Sequence, residues 1–224
     1  STIHLCSTKK ALENLQQERV NVKHAHVVGN TVIDALLQTV DTVKDDPDSV
    51  FSGKQNRILA TIHRRENHGD NLDDILEALA RVSINFEEST EIVIPWHPNP
   101  NVKEKVKQRF ANFDNVNVIP PLEYPQMVKA MLDATFLVSD SGGIQEEAPA
   151  LGRPVLILRN TTERPESVDA GVTKLIGSDE QKVYEAIEEL ITDEEKLREM
   201  SKKVFPYGRG DAADKILAVM DDFS

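Results

Sequence analysis

Apolar runs that break into polar clusters and then resume at helical spacing recur along this chain, and that recurrence restricts its fold more than any other feature. Arg57 to Ile62 is such a run; His63-Arg64-Arg65-Glu66-Asn67-His68-Gly69-Asp70 follows, then Leu72, Ile75, Leu76, Leu79 and Val82 on one helical face. Glu91 to Pro95 runs into His97-Pro98-Asn99-Pro100 and a helix marked by Val102, Val106 and Phe110. Asn115 to Ile119 passes through Pro120-Pro121-Leu122-Glu123-Tyr124-Pro125 to Met127, Val128, Met131 and Leu132. Phe136-Leu137-Val138-Ser139 breaks at Asp140-Ser141-Gly142-Gly143 and resumes at Ile144 and Ala148. Val155 to Leu158 leads into Arg159-Asn160-Thr161-Thr162-Glu163-Arg164-Pro165-Glu166, and Val172 to Ile176 is a further short strand. Parallel strands need crossovers and helices supply them, so this alternation predicts an α/β, doubly wound parallel sheet.

In such a sheet the ligand crevice lies outside the carboxyl ends of the strands. Each polar cluster follows a strand, so His63 to Asn67, His97, Ser141 to Glu147 and Thr161 to Glu166 are expected to share one rim. The segment from Phe136 to Ala148 reads as strand, tight turn and helix, and offers that rim an anion site. Gly142 and Gly143 carry no Cβ and let the backbone approach a ligand, while the first amides of a helix lack intrahelical partners. The helix dipole adds roughly 0.3–1 kcal/mol for a negative group at an exposed terminus. Ser141 contributes a hydroxyl, and Glu147, about one turn further in, offers a carboxylate to sugar hydroxyls. A capped glycine turn with two solvated glutamates would use the same residues. Convergence of several clusters on one rim favours a small anionic ligand.

The other rim residues leave alternatives open. His63, with an unperturbed pKa of about 6.5, suits acid–base work or a phosphate contact, and equally the packing of its own loop. Arg64 and Arg65 sit beside Glu66, so one is expected to be neutralised locally and the other to serve a ligand or a domain contact. Trp96 and Pro98 fix His97 in place, which loop rigidity explains as well as function. Arg164 suits either a phosphate or a surface ion pair. Lys103, Lys105 and Lys107 read as a solvated face. The histidines lack helical i, i+4 pairing and no histidine–carboxylate cluster repeats, so no metal is expected.

A formal net charge of −12 disfavours nucleic acid and anionic membrane as partners; a phosphate must be held by local amides and a few arginines. Cys6 is the single cysteine, which excludes an internal disulfide or a CxxC metal site, suits a reducing compartment and points to the cytoplasm. No stretch approaches about 18 consecutive apolar residues, and the first residues show no basic region followed by an apolar one. Asn160-Thr161-Thr162 matches a glycosylation sequon that carries no weight without secretion.

Outside the repeating body, Thr2-Ile3-His4-Leu5-Cys6 is strand-like and begins without methionine, as though cut from a longer chain. Ala11, Leu12 and Leu15 mark an amphipathic stretch. Val27-Val28-Gly29-Asn30 is an apolar run ending in a turn, and Thr31 with Asp34 resembles a capping box before Val32, Ile33, Ala35, Leu36 and Leu37. The acidic stretch from Asp41 to Asn56, interrupted by Pro47 and Gly53, reads as a surface connection. Val183, Ile187, Leu190 and Ile191 define a late helix, and a last amphipathic stretch after Pro206-Tyr207-Gly208 carries Ile216, Leu217 and Met220.

Taken together, Gly29-Asn30-Thr31-Val32-Ile33-Asp34, His63-Arg64-Arg65-Glu66-Asn67, His97-Pro98-Asn99-Pro100, Asp140-Ser141-Gly142-Gly143-Ile144-Gln145-Glu146-Glu147 and Thr161-Thr162-Glu163-Arg164-Pro165-Glu166 resemble the non-hydrolysing UDP-N-acetylglucosamine 2-epimerases. The motifs agree in order over nearly the whole chain, but only with the later half of that family. The resemblance implies the second Rossmann-like domain of a glycosyltransferase-B-like enzyme. Residues 1–28 would be the tail of the first domain, 29–206 the UDP-binding domain, and 207–224 a helix returning toward the first.

Family chemistry is the interconversion of UDP-N-acetylglucosamine and UDP-N-acetylmannosamine, by elimination of UDP to a 2-acetamidoglucal and its re-addition on the inverted carbon. The resemblance implies no cofactor and a homodimeric parent. By motif, Ser141, Gly142 and Gly143 would hold the diphosphate, Glu147 the ribose and the loop around Tyr124 the uracil. His97 and Arg164 would complete the substrate site, with His63 catalytic near the diphosphate and the reacting sugar. His63, Arg64 and Glu66 match residues that in some bacterial members also touch a second, activating UDP-N-acetylglucosamine. In the family's Pro-Tyr-Gly-Asp-Gly, this chain has Arg209 in place of the aspartate. The carboxylates expected to move protons belong to the first domain, so the chain alone is expected not to epimerise. A glycosyltransferase of the same architecture and a non-catalytic nucleotide-sugar-binding module are the alternatives.

Overall fold

The structure, a computed structural model, describes residues 3–67 and 69–222. Thr2 of the expected first strand and His68 of the loop after Ile62 lie outside the described residues. The body is a six-stranded sheet of β3 (Asn56–Thr61), β4 (Thr90–Pro95), β5 (Val116–Ile119), β6 (Phe136–Ser139), β7 (Val155–Ile157) and β8 (Thr173–Leu175). Every neighbouring pair is parallel, in the order β5-β4-β3-β6-β7-β8. Chain order therefore reverses between β3 and β6, which are hydrogen-bonded neighbours, and this is the topological switch point of a doubly wound fold.

Parallel sheets are covered on both faces, and the strands alternate accordingly. Ile58, Ala60, Ile92, Ile94, Phe136, Val138 and Leu156 point to one core, which α3 (Asp70–Asn85), α4 (Pro100–Arg109) and α8 (Glu180–Thr192) close. Leu59, Val93, Leu137, Val155 and Ile157 point to a second, under α2 (Thr31–Val43), α5 (Tyr124–Asp133) and α6 (Gly142–Leu151). Fully burying one such side chain is worth about 1.5–3 kcal/mol.

The six strands of this sheet fall within about one residue of their expected positions, and the two strands outside it differ more. The run expected at Val27 to Asn30 is instead β2 (Ala25–Val27), paired parallel with β1 (His4–Cys6) around α1 (Lys9–Gln17) in a sheet of two strands. The expected capping box at Thr31 is absent, because Asn30 is the N-cap and its side chain accepts from the Val32 amide at 3.1 Å. Asp34 is drawn elsewhere: it accepts from the amides of Ala213 at 2.9 Å and Ala212 at 3.3 Å, capping α10 (Ala212–Asp221). The segment from Asp41 to Asn56 is more than a surface connection. Helix α2 continues to Val43, Val43 and Phe51 are buried, and Ser52, Gly53 and Lys54 donate to the buried Glu91 carboxylate at 2.6–2.9 Å. Two short helices, α7 (Pro165–Asp169) and α9 (Glu194–Met200), carry too few apolar repeats to show a period.

Where the N-terminal β-α-β unit meets the body, two chain crossings touch. Gly29 (φ 94°) and Gly208 (φ 125°) adopt backbone that favours glycine, and a Cβ on Gly208 would lie 3.3 Å from the Gly29 Cα. The Asn30 amide donates to the Tyr207 carbonyl at 2.7 Å. Arg209 lays its guanidinium over the Phe205 ring, 5.4 Å from the centroid.

Candidate functional site

Because all strands run the same way, the loops after β3, β4, β6 and β7 open on one edge, and the expected rim clusters lie on it. The turn after β6 starts α6 at Gly142, with Ser141 as an N-cap whose hydroxyl makes no capping bond. Neither Gly142 nor Gly143 has a positive φ. Their missing side chains serve space: a Cβ on Gly142 would meet no atom within 4 Å. On Gly143 it would lie 3.8 Å from Glu147 Oε2 and from the Ser141 hydroxyl. Open volume, unpaired helix-start amides, a hydroxyl and a carboxylate therefore adjoin one another.

Glu147 is buried rather than solvated, because helical spacing turns it inward. The Tyr124 hydroxyl, at the start of α5, donates to its Oε1 at 2.6 Å. Burial pushes the Glu147 carboxyl above its ordinary value and the charge of Glu146 adds to this, against the opposing hydrogen bond from Tyr124. Burial and then the bond to Glu147 raise the Tyr124 phenol. Glu146 faces the other way and is shared between Asn30 Nδ2, at 2.8 Å, and Arg164 Nε. Of the two alternatives for Arg164, the structure shows the ion pair. It is half-buried on the rim, where Arg164 borders a cleft of about 460 Å³ between Ser7, Thr8 and Asn14 of the N-terminal unit and Asn30, Glu146 and Tyr207 of the body.

His63 and His97 meet across the ends of β3 and β4, with ring centroids 5.7 Å apart. Burial pushes the His63 imidazole below its ordinary value; the Asp140 carboxylate opposes this and His97 reinforces it. His97 Nδ1 accepts from the Asn99 amide at 3.1 Å, an arrangement that fixes the ring and assigns its proton to Nε2. The lysines of α4 are not simply solvated: Lys103 and Lys107 lie over the Trp96 ring, 5.1 and 4.3 Å from its centroid, and Lys105 pairs with Asp73.

Of the two arginines beside Glu66, Arg64 is locally neutralised. It reaches Glu163 at 3.0 Å and Glu66 at 3.5 Å, and Arg159 completes the square with Glu163 at 2.8 Å and Glu66 at 3.3 Å. The hydrogen bond from Arg159, with further help from its charge and that of Arg64, holds Glu163 at about 2. This network ties the loop after β3 to the loop after β7.

Two rim residues carry more structure than their sequence context suggested. Asp140 is fully buried and accepts from the His63 amide at 2.9 Å, the Arg64 amide at 2.9 Å and Asn67 Nδ2 at 2.8 Å. Asn67, also buried, donates further to the Leu158 carbonyl at 3.2 Å. A carboxylate placed directly after a buried strand was the available signal. Among the described residues no group of three His, Cys, Asp or Glu could hold a metal ion, and no helix is long and apolar enough to cross a membrane.

Fold and rim define a class: a Rossmann-like domain whose switch point lies between a histidine-bearing loop and a glycine-initiated helix. The chain belongs to the UDP-N-acetylglucosamine 2-epimerase family, whose family model matches residues 1–221. It is 42% identical to the UDP-N-acetylglucosamine 2-epimerase of Campylobacter jejuni, over 98% of this chain and 60% of that protein. The UDP-GlcNAc 2-epimerase of Neisseria meningitidis bound to UDP-GlcNAc superposes with a TM-score of 0.93 at 38% identity, over 99% of this chain and 62% of that one. The S. aureus protein MnaA in a UDP co-structure gives 0.92 at 38% identity, over 100% of this chain and 60% of that one. The chain thus spans about 60% of the length of the relatives it matches.

Proposed function

We propose that this chain is the UDP-sugar-binding half of an enzyme that interconverts UDP-N-acetylglucosamine and UDP-N-acetylmannosamine. The observation that carries the reading is the start of α6 at the switch point, with amides and space for a diphosphate and Glu147 one turn further in for the ribose. In this reading Ser141, Gly142 and Gly143 bind the diphosphate, Tyr124 lies by the uracil, and His97 and Arg164 complete the substrate site. The pyrophosphate would be held by amides and dipole, which a chain of net charge −12 requires. In this reading the departing UDP oxygen lies by His63, whose ring burial pushes below its ordinary value, so that it can exchange a proton there as an uncharged group.

Elimination removes the C2 hydrogen as a proton and breaks the C1–O bond, whose electron pair leaves with UDP. Re-addition forms that bond again and protonates C2 from the opposite face. One histidine does not serve both faces of the sugar, so the proposal assigns the remaining acid–base groups to a first domain. Residues 1–28 are its tail, 29–206 the UDP domain and 207–224 the returning helix; the contact of Gly29 with Gly208 supports a junction there. The same reading gives His63, Arg64 and Glu66 a second role toward an activating UDP-N-acetylglucosamine, and makes the whole protein a cytoplasmic homodimer in a GT-B-like arrangement.

Incubation with UDP-N-acetylglucosamine in deuterated water, followed by proton NMR, tests this. The full-length protein is expected to yield the manno epimer deuterated at C2, and residues 1–224 none. Conversion by this chain at the parent's rate would place the acid–base groups here, and absence of conversion by the parent would remove the proposed reaction.

A further inference from the structure

Asp140 uses its whole carboxylate inside the rim. Three sheet neighbours end around it: β6, which Asp140 directly follows, β3, whose loop supplies the His63 and Arg64 amides, and β7, reached through Asn67 and the Leu158 carbonyl. Its oxygens accept at 2.8 to 3.1 Å from three donors, the His63 amide touching both of them. A buried carboxylate without such partners would be costly, so the donors and the charge stabilise one another. Asp140 also stands one residue before Ser141, where the diphosphate is proposed to bind. Any movement of its side chain is therefore transmitted to both walls of the crevice.

We propose that Asp140 is a positioning residue for the epimerase reaction, holding the His63 loop in register with the start of α6 and supplying the fixed negative charge against which the His63 ring titrates. This rests on the reading of His63 as the acid–base group of the UDP site. The titratable groups that act on the His63 ring are Asp140 after β6 and His97 after β4. Of these, Asp140 alone is negative. Its charge raises the ring's affinity for a proton, while burial and His97 lower it. The carboxylate therefore keeps a buried imidazole basic enough to take a proton as the diphosphate arrives or leaves.

An amide in place of the carboxylate turns its one N–H₂ toward at least one donor, the His63 amide that touches both oxygens, and it removes the charge. Carbon-detected NMR titration of His63 in residues 1–224 tests both consequences without requiring turnover. Asp140→Asn is expected to shift the His63 titration downward, toward lower pH. Asn67→Ala removes one donor and leaves the carboxylate more exposed electrostatically, so the same titration is expected to stay or move upward. A role confined to holding the loop would loosen His63 in both variants and move both titrations the same way, toward an unburied histidine; that result, or no change in Asp140→Asn, would overturn the proposal. Should Asp140→Asn fail to fold, the unmodified protein still decides. The His63 and Arg64 amide protons are expected downfield and protected from exchange, and fast exchange at both would overturn it. In the full-length enzyme, Asp140→Asn is expected to lower kcat by about tenfold or more while changing KM less.

Discussion

Glu147→Gln is the substitution whose consequence follows most directly from the geometry. Glutamine keeps the size and shape of glutamate, and its oxygen can continue to accept from the Tyr124 hydroxyl, which lies 2.6 Å from Oε1. The other position, Oε2, borders the open volume by Gly143 at 3.8 Å from where a Cβ would sit. There the substitution replaces an acceptor with an N–H₂ that ribose hydroxyls cannot donate to. A hydrogen bond to a charged group is worth about 1.5–3 kcal/mol, so UDP affinity should fall by roughly 10- to 150-fold. Inorganic phosphate, held at the helix start alone, should lose little. The native carboxyl is raised by burial, so UDP affinity should decline as pH falls through a value above the ordinary one for glutamate, and that decline should vanish in the variant. Calorimetry with UDP and with phosphate across pH measures all of this. Equal losses for both ligands, or none for UDP, would refute the ribose assignment.

Glu91→Gln should destabilise the fold by about 3 kcal/mol in urea melts, because two of the donors from Ser52, Gly53 and Lys54 would face an amide N–H₂. Burial raises the Glu91 carboxyl, but the Ser52 hydroxyl and the three amides outweigh it and hold it low; its stabilisation is thus present above the ordinary value of 4.5 and is lost as pH falls through the lower folded value. Glu163, held at about 2 by Arg159 and Arg64, should remain charged at pH 4 in a carboxyl-detected titration, and Arg159→Gln should return it toward the ordinary range. Arg64→Ala in the full-length protein should reduce turnover, or activation by UDP-N-acetylglucosamine, without loss of fold; unchanged rate curves across substrate concentration would count against its ligand role.

The doubly wound sheet was legible because its central strands are buried on both faces, so each reads as an apolar run closed by a polar loop. The convergence of His63, His97, Ser141 and Thr161 on one edge followed from polarity alone. Partner choice was not legible. Asp34 looks like a local cap in the sequence, yet its acceptors serve Ala212 and Ala213 far along the chain. Glu91 reads as a strand residue, while its partners come from the segment that looked like solvent-exposed linker. Lys103 and Lys107 have the pattern of a solvated face until Trp96 is seen beneath them. Asp140 gave the same difficulty: an aspartate at a turn has many local uses, and only the adjacency of β3 and β6 brings its three donors to it. Long-range hydrogen bonds follow from which strands neighbour one another, and one-dimensional periodicity does not contain that order.

A crystal structure of residues 1–224 with UDP tests the central claim most directly. The diphosphate is expected on the Gly142 and Gly143 amides beside the Ser141 hydroxyl, the ribose hydroxyls on Glu147, and the uracil by the loop of Tyr124. UDP bound away from the start of α6, or bound there with its ribose turned from Glu147, would contradict it.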